Sequence, residues 1–246
     1  RAPRFAGYIG DGESVLVYAD LGKDKRGLHE IDSSDGSLKK TIYESEDFDV
    51  SGRTILNDKN ELVALKTYAE GAQYIWFDQA IRDEYEEIKR SLPGNPTILD
   101  PVSYSQDLNQ IIFMAFGNET LPRYYFYDRS KEKRSIVALF SSYPKANPDL
   151  VADPKYVVYK SRDGLNIPAY LTLPRGAEGQ KLPTIIYPHG GPYARTTDSF
   201  DPWVQYFVAK GYAVLEPNFR GSTGYGDEFM LAGYEEWGED MQNDLD

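Results

Sequence analysis

The sequence predicts two architectures in series: C-terminal blades of a β-propeller over residues 1–150, then the N-terminal part of an α/β domain over residues 151–246. Three observations predict this. Short β-rich runs recur through the first half, turn residues separate them, and past Pro148 the pattern changes to strand, helix, strand.

The repeating unit opens with β-rich runs at 14–18, 61–65 and 110–114. A second run follows each time and ends in Ile31-Asp32, Phe77-Asp78 and Tyr127-Asp128. Third runs at 38–43, 84–88 and 135–140 are expected to be strands as well. Asp11-Gly12, Asp35-Gly36 and Pro93-Gly94 supply the backbone conformations that tight reversals require. A unit of three or four strands returning every ~40–50 residues is the spacing of propeller blades. A β-sandwich with the same spacing is the alternative. Closed propellers have at least about four blades, so the chain is expected to begin inside a longer propeller, with Arg1 an interior point.

In the second half, residues 156–159 and 167–173 flank Arg162-Asp163-Gly164 and predict a hairpin. A strand at 182–187, a helix at 203–210 stopped by Gly211, and a strand at 212–215 make one βαβ unit. Such a crossover implies a mainly parallel sheet. Residues 228–246 read as irregular structure passing into an amphipathic helix. Trp237 is expected to pack inward, with Glu235, Glu236, Glu239, Asp240, Asp244 and Asp246 on a solvated face.

Composition narrows the function classes. The 246 residues are 41% hydrophobic, enough for one large or two modest cores. No apolar run approaches the ~18 residues of a membrane span, so a soluble protein is expected. The compartment, cytoplasmic or periplasmic, stays open, as does homo-oligomerisation. A net charge of −12 argues against a nucleic-acid partner, since phosphate is bound chiefly by Lys and Arg. With no cysteine in the chain, disulfides, thiolate metal sites and a cysteine nucleophile are excluded within it. No cofactor or metal is expected.

The sharpest chemical signal is His189-Gly190-Gly191-Pro192, directly after the 182–187 strand. At the C-terminal end of a parallel strand, paired glycines let the chain turn sharply and present an amide to a crevice. In α/β-hydrolases such a loop supplies one oxyanion-hole amide. The plainer readings are a tight turn and a structural histidine. The second signal is the glycine-rich run Asn218-Phe219-Arg220-Gly221-Ser222-Thr223-Gly224-Tyr225-Gly226. It lacks the lysine of a phosphate-binding loop. Gly221-Ser222-Thr223-Gly224 is not G-x-S-x-G, so Ser222 is not read as a nucleophile.

The order hairpin, strand, His-Gly-Gly-Pro, helix, strand, Phe-Arg-Gly-Ser-Thr-Gly-Tyr-Gly, then Ala232-Gly233 and Trp237-Gly238, resembles the prolyl oligopeptidase family of serine peptidases. The acylaminoacyl-peptidase and dipeptidyl-peptidase-like members are nearest. The resemblance implies a propeller capping an α/β-hydrolase domain, a short-peptide substrate, and an oxyanion donor in the Gly191 N–H. His189, Gly190, Pro192 and Arg220 would form the active-site wall. Relatives that cleave after proline often carry a tyrosine where His189 stands, so no side-chain role is carried over there. No Ser-Asp-His triad can be assigned: G-x-S-x-G is absent and the only other histidine is His29. The nucleophile is expected beyond Asp246, the stretch alone is expected to be inactive, and its partner is the remainder of the same polypeptide. A carboxylesterase and a non-catalytic propeller scaffold are the competing readings. Glu84, Glu86 and Glu87 are read as a charged strand face rather than a grip for a peptide amine.

Overall fold

The computed structural model describes residues 1–117, 119–130 and 134–246. Its first part is three successive antiparallel meanders. The first runs β1 (Arg4–Ile9), β2 (Ser14–Ala19), β3 (Gly27–Asp32) and β4 (Leu38–Tyr43), hydrogen-bonded in that order. The second has three strands, β5 (Arg53–Leu56), β6 (Leu62–Tyr68) and β7 (Ala72–Trp76). A helix, α1 (Gln79–Ser91), comes next. The third meander is β8 (Ile98–Tyr104), β9 (Gln110–Gly117), β10 (Thr120–Asp128) and β11 (Ser135–Ser141).

These meanders bury their faces against one another. Leu16, Tyr18 and Leu28 of the first sheet pack with Val50 and with Leu65 of the second. Ile55, Val63 and Ala64 of the second pack with Leu108 beside the third. β2 and β9 are therefore apolar along most of their length, whereas β4 exposes Lys39 and Lys40.

Residues 84–88, expected as a strand, lie within α1. Asp78 caps the helix, its carboxylate accepting from the Ile81 N–H at 3.0 Å. Ile81, Tyr85 and Ile88 fall at helical spacing and pack on the second and third sheets. Helix formers fill the positions between. The acids are not a strand face either: Glu84 accepts from the Tyr127 hydroxyl and pairs with Arg129 at 3.1 Å.

After a 3-10 turn at Pro148–Leu150, a fourth sheet forms from β12 (Lys155–Lys160), β13 (Asn166–Thr172), β14 (Thr184–Ile186) and β15 (Ala213–Pro217), in the order β12-β13-β15-β14. Helix α2 (Pro202–Ala209) makes the expected crossover, its Val204 and Val208 packing on Val214 and Ile185. Gly211 just beyond it takes a φ of 91°. The expectation of a mainly parallel sheet needs correcting: of these strands only β14 and β15 run parallel. The predicted hairpin occupies the antiparallel side. Two short helices close the chain, α3 (Asp227–Leu231) and α4 (Asp240–Asn243). No helix among the described residues is long and apolar enough to cross a membrane.

Backbone hydrogen bonds join the first meander to the glycine-rich loop. The Asp49 N–H donates to the Gly224 carbonyl and the Asp227 N–H to the Asp24 carbonyl, both at 3.0 Å. The Asp24 side chain also accepts from the Glu228 N–H at 2.7 Å. At the second meander, Asp198 accepts from the Ala72 N–H at 3.0 Å.

Candidate active site

The His189-Gly190-Gly191-Pro192 loop leaves the C-terminal end of β14, beside the parallel β15. Gly191 has a φ of 139°, and a Cβ there would meet the Tyr193 amide at 3.0 Å and the Ala194 side chain at 3.1 Å. Only glycine suits that conformation and that space. The residue is exposed and borders an open cleft of about 370 Å³ shared with His189, Phe219, Trp237 and Met241. Trp237 is 69% exposed on this cleft, not packed inward as its spacing suggested.

His189 is held rather than free. Its ring stacks on Phe219 with centroids 4.7 Å apart. Ser222, fully buried, donates its hydroxyl to the Phe219 carbonyl at 2.6 Å. His189 Nδ1 lies 2.9 Å from the Gly190 carbonyl oxygen, which accepts when that nitrogen carries the proton, and Nε2 lies 2.9 Å from Ser222 Oγ. Burial pushes the imidazole pKa below its ordinary value; the Gly190 carbonyl opposes this and the Arg195 charge adds to it. The pair has the spacing of a nucleophile and its base, but a serine nucleophile must reach substrate, and this one is enclosed. No carboxylate hydrogen-bonds the imidazole among the described residues. Ser222 positions the loop.

Arg220 lies at 5% exposure and organises the other wall. Its Nε and Nη2 reach Asp244 at 2.9 and 2.7 Å, Nη2 also reaches Asp163 at 2.9 Å, and Nη1 reaches Asp240 at 3.2 Å. Hydrogen bonding to Asp244 raises the guanidinium pKa above its ordinary value. The expected solvated face of acids holds for Glu235, Glu239 and Asp246, which are exposed, but needs correcting at Asp244. Asp244 has no exposure, because the guanidinium neutralises the charge that would otherwise keep it in water; Asp240 is paired with the same guanidinium but stays half-exposed.

From sequence, Asn218 has no role beyond opening the glycine-rich run. It is fully buried, accepts from the Thr196 N–H at 2.7 Å and donates to the Tyr225 hydroxyl at 2.8 Å. It therefore ties the chain beyond Pro192 to the glycine-rich loop. A polar residue directly after an apolar strand was the available signal. No group of three metal-ligating side chains occurs among the described residues.

Comparison with known proteins agrees with this layout. Residues 198–245 match the model of the prolyl oligopeptidase family, Peptidase_S9. The chain is 30% identical over 242 residues to dipeptidyl aminopeptidase BIII of Pseudoxanthomonas mexicana, covering 96% of this chain and 34% of that protein. It is 25% identical over 247 residues to dipeptidyl peptidase family member 6 of Caenorhabditis elegans, covering 91% of this chain and 33% of the other. The chain thus spans about a third of the length of these relatives. Its fold is shared with a puromycin-hydrolyzing peptidase of Mycobacterium tuberculosis, at a TM-score of 0.68 and 19% identity over 100% of this chain and 37% of that one. With the motifs at the sheet edge and these relatives in agreement, the chain belongs to the prolyl oligopeptidase family.

Proposed function

We propose that the full-length polypeptide is a serine peptidase hydrolysing short peptides through an acyl-enzyme. Residues 1–150 are its C-terminal propeller blades and residues 151–246 the N-terminal part of its α/β-hydrolase domain. A serine elsewhere in the polypeptide attacks the scissile carbonyl, the amine leaves with a proton from a histidine, and water releases the acid. Within this chain the Gly191 N–H holds the oxyanion, a contribution of roughly 3 kcal/mol at the transition state for a donor of this kind. His189, Gly190 and Pro192 shape the wall around it, and Arg220 fixes the segment from 240 to 244 behind it.

The observation that carries this reading is the Gly191 backbone, exposed on a cleft at the end of a parallel strand. The names of the relatives, dipeptidyl aminopeptidase and puromycin-hydrolyzing peptidase, support amide bonds near a chain end as the target. Labelling the full-length protein with a fluorophosphonate and locating the modified residue tests it. A labelled serine in a G-x-S-x-G segment outside these residues is expected. Labelling at Ser222, or none at all in a folded sample, rejects the proposal.

A further inference from the structure

Where the first meander faces the glycine-rich loop, a cavity of about 460 Å³ is bounded by Arg4, Tyr18, Arg26 and Asp49 on one side and by Arg195 and Gly224 on the other. That volume lies in the range of small-ligand sites. Its charge is unbalanced. Arg1 also borders it but is engaged by Asp49 and Asp227. Arg4, Arg26 and Arg195 take part in no salt bridge among the described residues.

The donors here are also unmet. Arg26 gives Nη2 to the Ala2 carbonyl at 3.0 Å, and its Nε has no acceptor. Arg195 lies with its guanidinium 4.7 Å from the Tyr225 ring centroid and reaches the Ala69 carbonyl at 3.3 Å. Its Nε and Nη1 have no acceptor. Tyr18 is 2% exposed, and its hydroxyl makes no hydrogen bond although the Arg4 guanidinium sits 4.8 Å from the centre of its ring. Buried donors are almost always paired, so a set of them lining one cavity marks a missing acceptor. Asp49 cannot serve, because its oxygens already accept from Arg1 and from the Arg26 and Gly226 N–H groups. Burial, with the neighbouring Arg1 charge adding to it and Asp49, Asp20 and Asp227 opposing, holds Arg26 below its ordinary pKa.

The geometry points to an oxyanion site: this cavity takes a carboxylate or phosphate group on Arg26 and Arg195, with the Tyr18 hydroxyl as a further donor. The planar guanidinium fork matches both groups. Two sources carry that chemistry, the C-terminal carboxylate of a peptide and a phosphate compound.

Calorimetric titration of the full-length protein with inorganic phosphate, N-acetylglycine and N-acetylglycinamide reads the site without turnover, independently of the peptidase proposal. Saturable binding of phosphate or N-acetylglycine is expected, weakened about tenfold or more in an Arg26→Met/Arg195→Met double variant. Tyr18→Phe, which deletes one oxygen that makes no hydrogen bond, keeps the fold and is expected to bind several-fold more weakly. Should the double variant not fold, Tyr18→Phe and Arg26→Met alone decide. Competition between N-acetylglycine and phosphate, with the amide inert, assigns a peptide carboxylate; phosphate binding without competition assigns a phosphate compound. Absence of saturable binding of both anions, or unchanged affinity in every folded variant, overturns the inference.

Discussion

Arg220 and Asp244 form a two-point pair, at 2.9 and 2.7 Å, in which the carboxylate has no solvent exposure at all. The same carboxylate accepts from the Arg220 N–H at 2.9 Å, and the Tyr159 hydroxyl donates to the Asp244 carbonyl. Through one guanidinium the β12–β13 hairpin, the loop after β15 and the end of α4 are therefore fixed to each other.

Removing either partner strands the other in a dry site. Arg220→Ala is expected to destabilise the protein by about 3–5 kcal/mol, and Asp244→Asn by somewhat less because the amide still accepts one hydrogen bond. Arg220→Lys recovers little, since one ammonium cannot match the fork on Asp244 and also reach Asp163 and Asp240. Denaturant midpoints of the full-length variants check the ranking; an Arg220→Lys variant as stable as wild type contradicts it.

Gly233 approaches Gly221 so closely that a Cβ would lie 2.6 Å from the Gly221 Cα and 2.9 Å from the Arg220 carbonyl oxygen. The obstacle is backbone, which cannot rotate aside. Gly233→Ala is expected to cost roughly 1–3 kcal/mol by overpacking, read as a lowered Tm. Gly238→Ala provides a contrast, because a Cβ there meets nothing within 4 Å and the cost is only the φ of 79°.

Glu216 sits buried on β15, and burial, with the Asp201 charge adding to it, pushes its pKa from an ordinary 4.5 up to about 7. A carboxyl raised in this way favours the fold while protonated. Its contribution is complete below the unfolded pKa, declines as pH rises through the interval up to about 7, and is lost above it. Glu216→Gln is therefore expected to be more stable than wild type at pH 8 by up to about 3 kcal/mol, with the difference shrinking as pH falls toward 4.5. Urea unfolding of both proteins across that range measures it; a pH-independent difference contradicts the assignment.

Ser222→Ala separates positioning from nucleophilic chemistry. Loss of the contacts to His189 and the Phe219 carbonyl is expected to cost about 1–2 kcal/mol of stability and to lower kcat, while fluorophosphonate labelling persists. Abolished labelling in a folded variant would make Ser222 the nucleophile.

Short continuous runs of β-rich residues made β2, β6 and β9 readable, since middle strands are covered on both faces. The first strands of the meanders were not legible. β5 is four residues long and β8 is interrupted by Asp100 and Pro101, so neither offers such a run. Residues 84–88 misled because the unit around them repeats, whereas the Asp78 cap and the spacing of Ile81, Tyr85 and Ile88 give a local preference for helix that outweighs the repeat. At the site, the turn chemistry of Gly191 follows from sequence alone. The burial of Asp244 does not: an acid reads as solvated unless its cation is known, and Arg220 is 24 residues away.

The seam between the first meander and the glycine-rich loop sets an order of events during synthesis. Asp24 and Asp49 are made first, and the N–H groups of Glu228 and Gly226 that they accept from lie 204 and 177 residues downstream. At a ribosomal pace of roughly 5–20 residues per second, these two carboxylates wait on the order of ten seconds or more for those donors, Asp49 meanwhile engaged by Arg1 and the Arg26 N–H. The first meander must hold together over that interval on its contacts with the second, through Leu16, Leu28 and Leu65.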